Sequence, residues 1–124
     1  STENSFKTPL GKHEIKKMIG KDVIIGGRFI GRVHTGEVFP IYSDQEIYVK
    51  EDVVQSRILW LSGLENNKNK GIGVDSFARY IYIHGTPEEW LLGSKASKGC
   101  IRMSNKDVIE LFDKVHEGMI VNIK

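Results

Sequence analysis

At 124 residues, with 40% hydrophobic and 27% charged content, the chain has the size and core material of one ordinary domain, read here as a single domain over residues 1–124. A net charge of +2 with scattered basic residues gives no footing for a nucleic-acid surface, and apolar stretches of only a few residues exclude a transmembrane helix. One cysteine excludes an internal disulfide and any zinc site built on paired cysteines, so no metal and no cofactor is expected.

Taken in chain order, "HEIKKMIG" (13–20) predicts a short helix. "KDVIIGGRFIGRVHTGEV" (21–38) shows short β-branched runs broken by Gly26, Gly27, Gly31 and Gly36, a pattern of strands and turns. "QEIYVK" (45–50) and "SRILWL" (56–61) predict strands, the second with Ile58 and Trp60 on one face and Arg57 and Leu59 on the other. "GLENNKNKGIG" (63–73) is a polar loop, and "ARYIYIH" (78–84) is a strongly β-prone strand that ends on His84. "SNKDVIELFDKVHEG" (104–118) is the clearest segment. Ser104 or Asn105 is its N-cap, Asp107 lies in its first turn, and Gly118 is placed to end it. Val108, Ile109, Leu111, Phe112 and Val115 form its apolar stripe, and "MIVNI" (119–123) is a last strand. The expected fold is mainly β, a β-rich α+β domain with one main helix (about 105–117) packed on the sheet.

The lone cysteine, Cys100, lies in "ASKGCIRMSN" (96–105). As a nucleophile it needs a base, and four histidines are available: His13, His34, His84 and His116. His116 in the last helical turn suits the helix dipole, and His13 and His34 read as surface residues. His84 ends a strand and runs into Gly85, Thr86 and Pro87, a setting that holds a side chain at a sheet edge. Gly99 permits a close backbone approach that leaves amide N–H groups beside the thiol, as an oxyanion hole needs. Residue by residue, a packed small cysteine and a hydrogen-bonded histidine stand beside a Cys–His hydrolase or transferase.

The stretch "YIYIHGTPEEWLLGSKASKGCIRMSNKDVIELFDKVHEGMIVNI" (80–123) resembles the catalytic half of the L,D-transpeptidases, the YkuD domain family. "HGT" closes a strand, "S-K-G-C-I-R" follows a short loop, and a helix and a last strand come next. Upstream, "NSFKTPLGKHEI" (4–15) is similar to the family's T-P-x-G segment. "TGEV" (35–38), "RILWLSGLE" (57–65) and "VDSFARYIYIHGT" (74–86) are similar to its gram-negative branch. The resemblance implies a YkuD-like β-sandwich or barrel. Lys98 stands where the family usually carries the histidine of S-H-G-C. A lysine there either favours the thiolate of Cys100 or projects into water. Family domains usually begin with one or two more strands, so the resemblance also implies that the first strand or strands are missing from this chain.

What the resemblance implies about chemistry is specific. Cys100 would attack the third-residue carbonyl of a peptidoglycan stem tetrapeptide, with loss of D-alanine, and His84 would take the thiol proton and return it to the leaving amine. The Gly85 carbonyl would hold the other imidazole N–H, and the amides of Gly99 and Cys100 would form the oxyanion hole. Arg102 would grip a substrate carboxylate or make a structural salt bridge, with Ser97 and Lys98 as further substrate contacts. Trp60 and Tyr82 would be core or wall of the cleft. An amine acceptor would make the enzyme a transpeptidase and a carbapenem target. Water as acceptor would make it an L,D-carboxypeptidase, and loss of chemistry would leave a binding domain. The expected partner is a muropeptide, with no nucleic acid. The expected place is the periplasm or cell envelope, or the cytoplasm for a recycling carboxypeptidase.

Overall fold

The computed structural model describes residues 10–51, 53–65, 81–93 and 100–123. Among them seven strands and one α-helix are formed: β1 (Gly11–Ile19), β2 (Gly27–Ile30), β3 (Val33–Val38), β4 (Val54–Gly63), β5 (Tyr82–Gly85), β6 (Ile101–Met103), α1 (Asn105–Lys114) and β7 (Ile120–Ile123). The domain is mostly β with one helix packed on a largely antiparallel sheet, in agreement with the sequence. No helix among the described residues is long and apolar enough to cross a membrane.

The long strand β4 organises the sheet. Its residues Ile58, Leu59 and Trp60 pair with Ile19, Met18 and Lys17 of β1 on one edge and with His84, Ile83 and Tyr82 of β5 on the other. Strand β2 joins β4 at Gln55 and carries β3 as an outer hairpin strand, while β7 lies against the far side of β1. β5 and β6 are parallel, with Ile83 beside Ile101 and His84 beside Arg102.

The period of two along β4 and β5 sorts apolar residues onto two faces. Leu59, Leu61, Ile81 and Ile83 pack with Ile15, Val108 and Phe112 beneath α1. Ile58, Trp60 and Tyr82 pack with Phe29 on the opposite face, where Cys100 touches them. The expected division of Ile58 and Trp60 from Arg57 and Leu59 is therefore present, and the Arg57 guanidinium stacks over Phe112 on the helix side, 5.4 Å from the ring centroid.

Helix α1 starts as expected: Ser104 is the N-cap, and its Oγ accepts from the Asp107 amide at 3.2 Å. It stops at Lys114, three residues before the expected end. The cause is tertiary. Ile15 of β1 accepts from the Gly118 amide and donates to the Met119 carbonyl, which draws the chain off the helix and into β7. Gly118 (φ +91°) makes that turn rather than a helix cap, and His116 lies beyond the helix, with Nδ1 near the Glu117 carbonyl.

Two further expectations are corrected. Residues 13–20 form no helix: 13–19 belong to β1. His13 and Ile15 point inward while Lys12 and Lys16 point to solvent, a period of two that pairing with β4 and β7 enforces over the helix propensity of Lys and Glu. Residues 45–50 form no strand. Their backbone groups are taken by side chains instead: Val49 N–H by Glu88 Oε2 and the Ile47 carbonyl by Trp90 Nε1.

His13 is fully buried rather than on the surface, whereas His34 is exposed as expected. Burial holds the His13 imidazole below its ordinary value of 6.5, against the opposing pull of the Gly11 carbonyl. A depressed folded pKa contributes stability above the unfolded value that is lost as pH falls through the folded one. The slope of melting temperature against pH below about 6.5 is therefore expected to flatten in His13→Gln, whatever the absolute stability of that variant. Equal slopes in both proteins would remove His13 as the cause.

Candidate active site

Three strands converge on Cys100. Because Ile83 is beside Ile101, Tyr82 stands beside Cys100, and the Tyr82 amide donates to Sγ at 3.4 Å. His84 lies two residues further along β5, on the same face as Tyr82. The two positions are thus diagonal neighbours across the β5–β6 pairing, with Cys100 one residue before β6. His84 is fully buried, and its Nδ1 lies 2.7 Å from the Gly85 carbonyl oxygen. With the proton on Nδ1 the ring donates to that oxygen, and Nε2, itself buried, is the ring's acceptor atom.

The Gly85 carbonyl is itself fixed from below. A Cβ on Gly85 would fall on Asn105 Oδ1 and within 2.7 Å of the Gln55 carbonyl oxygen. Asn105 is fully buried at the first helical position. Its Oδ1 accepts from Ser56 Oγ at 2.6 Å, and its Nδ2 donates to the Thr86 carbonyl at 2.9 Å and to Glu89 Oε2 at 2.7 Å. Ser56 reaches Asn105 because β4 bulges between Gln55 and Ile58, with Ser56 at φ +72°. Such a bulge re-aims a side chain beside a functional residue. Gln55 braces the same corner through Nε2 bonds to the Gly26 and Phe39 carbonyls.

Glu89 closes the network. Burial works to raise its carboxyl, but donors from the Asn105 amide, Ser43 Oγ and the Asn105 side chain outweigh it and hold the group below the ordinary carboxylate value. It therefore remains an acceptor at neutral pH.

Arg102 lies beside His84 in the parallel register. Its Nη1 donates to Glu88 Oε1 at 2.9 Å, a nearly buried ion pair. Its Nη2 is buried without a hydrogen-bond partner among the described residues. The salt-bridge reading of Arg102 is realised, and one donor remains over. Trp60 and Tyr82 meet edge to face at 5.7 Å as core on the Cys100 side. Ser97, Lys98 and Gly99 lie outside the described residues, as do residues 66–73 of the expected loop. No group of three or more His, Cys, Asp or Glu residues among the described residues could hold a metal.

The sequence reading passed over Glu88, Glu89, Ser56 and Gln55, and saw Asn105 only as an alternative cap. Their partners are far away in sequence, so local pattern carries no trace of them. The one local signal was the asparagine placed directly after a good N-cap serine.

The chain is 56% identical over 41 residues to a putative L,D-transpeptidase YkuD of Bacillus subtilis, a stretch covering 33% of this chain and 25% of that protein. Its counterpart in Bacillus licheniformis is 49% identical over 41 residues, with the same coverage. A probable L,D-transpeptidase YcfS of Escherichia coli is 33% identical over 63 residues, 50% of this chain and 20% of that protein. The matched stretches thus span a quarter or less of these relatives, and no solved structure matches the chain. The profile of the L,D-transpeptidase catalytic domain, YkuD, matches residues 1–123, nearly the whole chain. On that match the chain belongs to the YkuD family of L,D-transpeptidase catalytic domains.

Proposed function

We propose that the domain is a cysteine L,D-transpeptidase acting on peptidoglycan stem tetrapeptides in the cell envelope. The observation that carries the reading is the placement of Cys100, one residue before β6 and bonded by the Tyr82 amide, beside the strand that carries His84, with the Gly85 carbonyl 2.7 Å from His84 Nδ1. In the first half-reaction His84 Nε2 takes the thiol proton and Sγ attacks the carbonyl of the third stem residue. The tetrahedral oxyanion is held by the amides of Gly99 and Cys100, and the imidazolium protonates the leaving D-alanine amine as a thioester forms. In the second half-reaction the amine of another stem attacks the thioester, loses a proton to His84, and releases the thiol. The Gly85 carbonyl fixes the tautomer, the part a carboxylate or amide plays in other Cys–His enzymes. Arg102 Nη2, left over from the pair with Glu88, is a donor for a substrate carboxylate, with Ser97 and Lys98 alongside. A L,D-carboxypeptidase would use the same residues with water as acceptor.

The deciding experiment is incubation with a purified disaccharide-tetrapeptide, followed by mass analysis. A crosslinked dimer supports the transpeptidase, tripeptide alone selects the carboxypeptidase, and unchanged substrate with folded protein overturns both. The role of Lys98 is read from the pH dependence of Cys100 alkylation in wild type and Lys98→Met. Coinciding curves are expected, since a Cys–His pair works without a third charge and an exposed lysine is screened. A shift to higher pH in the variant that shrinks with salt would show that Lys98 supports the thiolate.

A further inference from the structure

Strand β4 carries an exception to the way this chain uses glycine. Seven of the described residues with positive φ are glycines, and only two are not: Arg32, in the tight β2–β3 turn, and Ser56, at the bulge of β4. Ser56 is fully buried at φ +72°, a conformation that L side chains avoid and glycine adopts freely. Its carbonyl is pinned in that strained position. Arg57 Nη1 donates to the Ser56 carbonyl at 2.7 Å and to the Val23 carbonyl at 2.6 Å. Strain retained at a buried bulge, where glycine would relieve it, points to a use for the side chain.

The bonds around the hydroxyl have one possible direction. The Gly26 amide donates to Ser56 Oγ at 2.9 Å, so the oxygen is an acceptor there and its single proton goes to the other partner. That partner is Asn105 Oδ1, at 2.6 Å. The Asn105 amide cannot be turned over, because its Nδ2 end faces two acceptors, the Thr86 carbonyl and Glu89 Oε2. Among the described residues, Ser56 is the donor that Oδ1 has. Asn105 Oδ1 is also the atom that a Cβ on Gly85 would meet first, and the Gly85 carbonyl is the partner of His84 Nδ1.

We infer that Ser56 is a positioning residue for His84. Its hydroxyl holds Asn105 Oδ1 against Gly85, which keeps the Gly85 carbonyl on Nδ1 and the imidazole in the Nδ1–H tautomer. The inference rests on the reading of His84 as the base of the Cys–His pair. It explains why a serine, and not a glycine, occupies a left-handed position in the centre of the sheet.

The test uses two substitutions that share the lost hydroxyl and differ in strain. Ser56→Ala keeps a Cβ at positive φ, whereas Ser56→Gly removes it, so the glycine variant should melt at the higher temperature of the two. The His84 tautomer is read in the whole chain by nitrogen NMR of the imidazole, at a pH above the ordinary histidine value of about 6.5. His84→Gln identifies the signal. Wild type should carry the proton on Nδ1, and both variants should shift towards Nε2–H to the same degree. Turnover of a disaccharide-tetrapeptide should fall on the order of tenfold to a hundredfold in both, with the glycine variant no more active despite its higher melting temperature. Ser56→Cys keeps the volume and a weaker donor, so it should show a mixed tautomer, and it decides the matter if the smaller variants do not fold. An unchanged tautomer in folded variants overturns the inference, and so does a wild-type imidazole protonated on Nε2. Wild-type behaviour in Ser56→Gly beside a loss in Ser56→Ala would also overturn it, since backbone strain and not the hydroxyl would then be the cause. An alanine variant that melts at or above the glycine variant would remove the strain on which the argument stands. Absence of turnover in wild type would refute the stem-peptide reading and leave the tautomer to judge Ser56.

Discussion

Cys100→Ala is expected to lower turnover of a disaccharide-tetrapeptide by at least about 10⁴-fold, the scale seen when an activated nucleophile is removed. The fold should survive. Cys100 is only partly buried against Phe29, Ile58, Trp60 and Tyr82, and loss of one sulfur at such a site costs on the order of 1 kcal/mol. The same variant isolates the covalent step. A carbapenem offers a strained carbonyl to the thiol, so the wild-type protein should gain the mass of one drug molecule as a ring-opened thioester, and Cys100→Ala should gain none. Near wild-type trimming by the alanine variant would show that Cys100 is not the nucleophile.

Gly85→Ala is expected to be more damaging than a methyl group suggests. Its Cβ would meet Asn105 Oδ1 and the Gln55 backbone, and neither can give way. Asn105 is clamped by Ser56, Thr86 and Glu89, and Gln55 belongs to β4 with its side chain bonded to two carbonyls. Overpacking of this kind costs about 1–3 kcal/mol, and the protein can relieve it only by moving the Gly85–Thr86 backbone. That movement carries the Gly85 carbonyl away from His84 Nδ1. Denaturant unfolding should therefore report the stability loss, and kcat should fall further than the unfolded fraction explains, with an altered pH profile. A variant with wild-type midpoint and wild-type kcat would mean that the corner is looser than its hydrogen bonds imply.

Elements whose burial follows from their own periodicity could be read in the sequence. The alternation along residues 56–61 and the stripe from Val108 to Val115 each met the face they predicted, and of the strand expected over 78–84 the described part, from Tyr82 on, is formed. His84 and Cys100 drew attention as local features, a strand end and a lone thiol, whereas Gly85 entered only through the family resemblance. What failed was set by distant partners. Lys and Glu in residues 13–20 favour a helix locally, but two neighbouring strands impose extension. The β-branched and aromatic residues of 45–50 fit a strand, yet Glu88 and Trp90 capture their backbone groups first. The clamp around Gly85 joins residues up to 49 positions apart, a separation at which a single sequence offers no pattern to follow.

The parallel pairing of β5 with β6 has an evolutionary consequence. Parallel neighbours cannot be joined by a tight turn, so a long connection must leave His84 and return at Cys100. The spacing of thiol and imidazole is set by the ladder, in which Ile83 faces Ile101, and not by the chain between them. Lengthening a flexible connection costs only about 0.6 kcal/mol per doubling. Changes of length after Leu92 and before Cys100 therefore leave that ladder, and the contacts of Thr86, Glu88 and Glu89, in register. The residues held by the ladder can be kept while the walls around them are rebuilt.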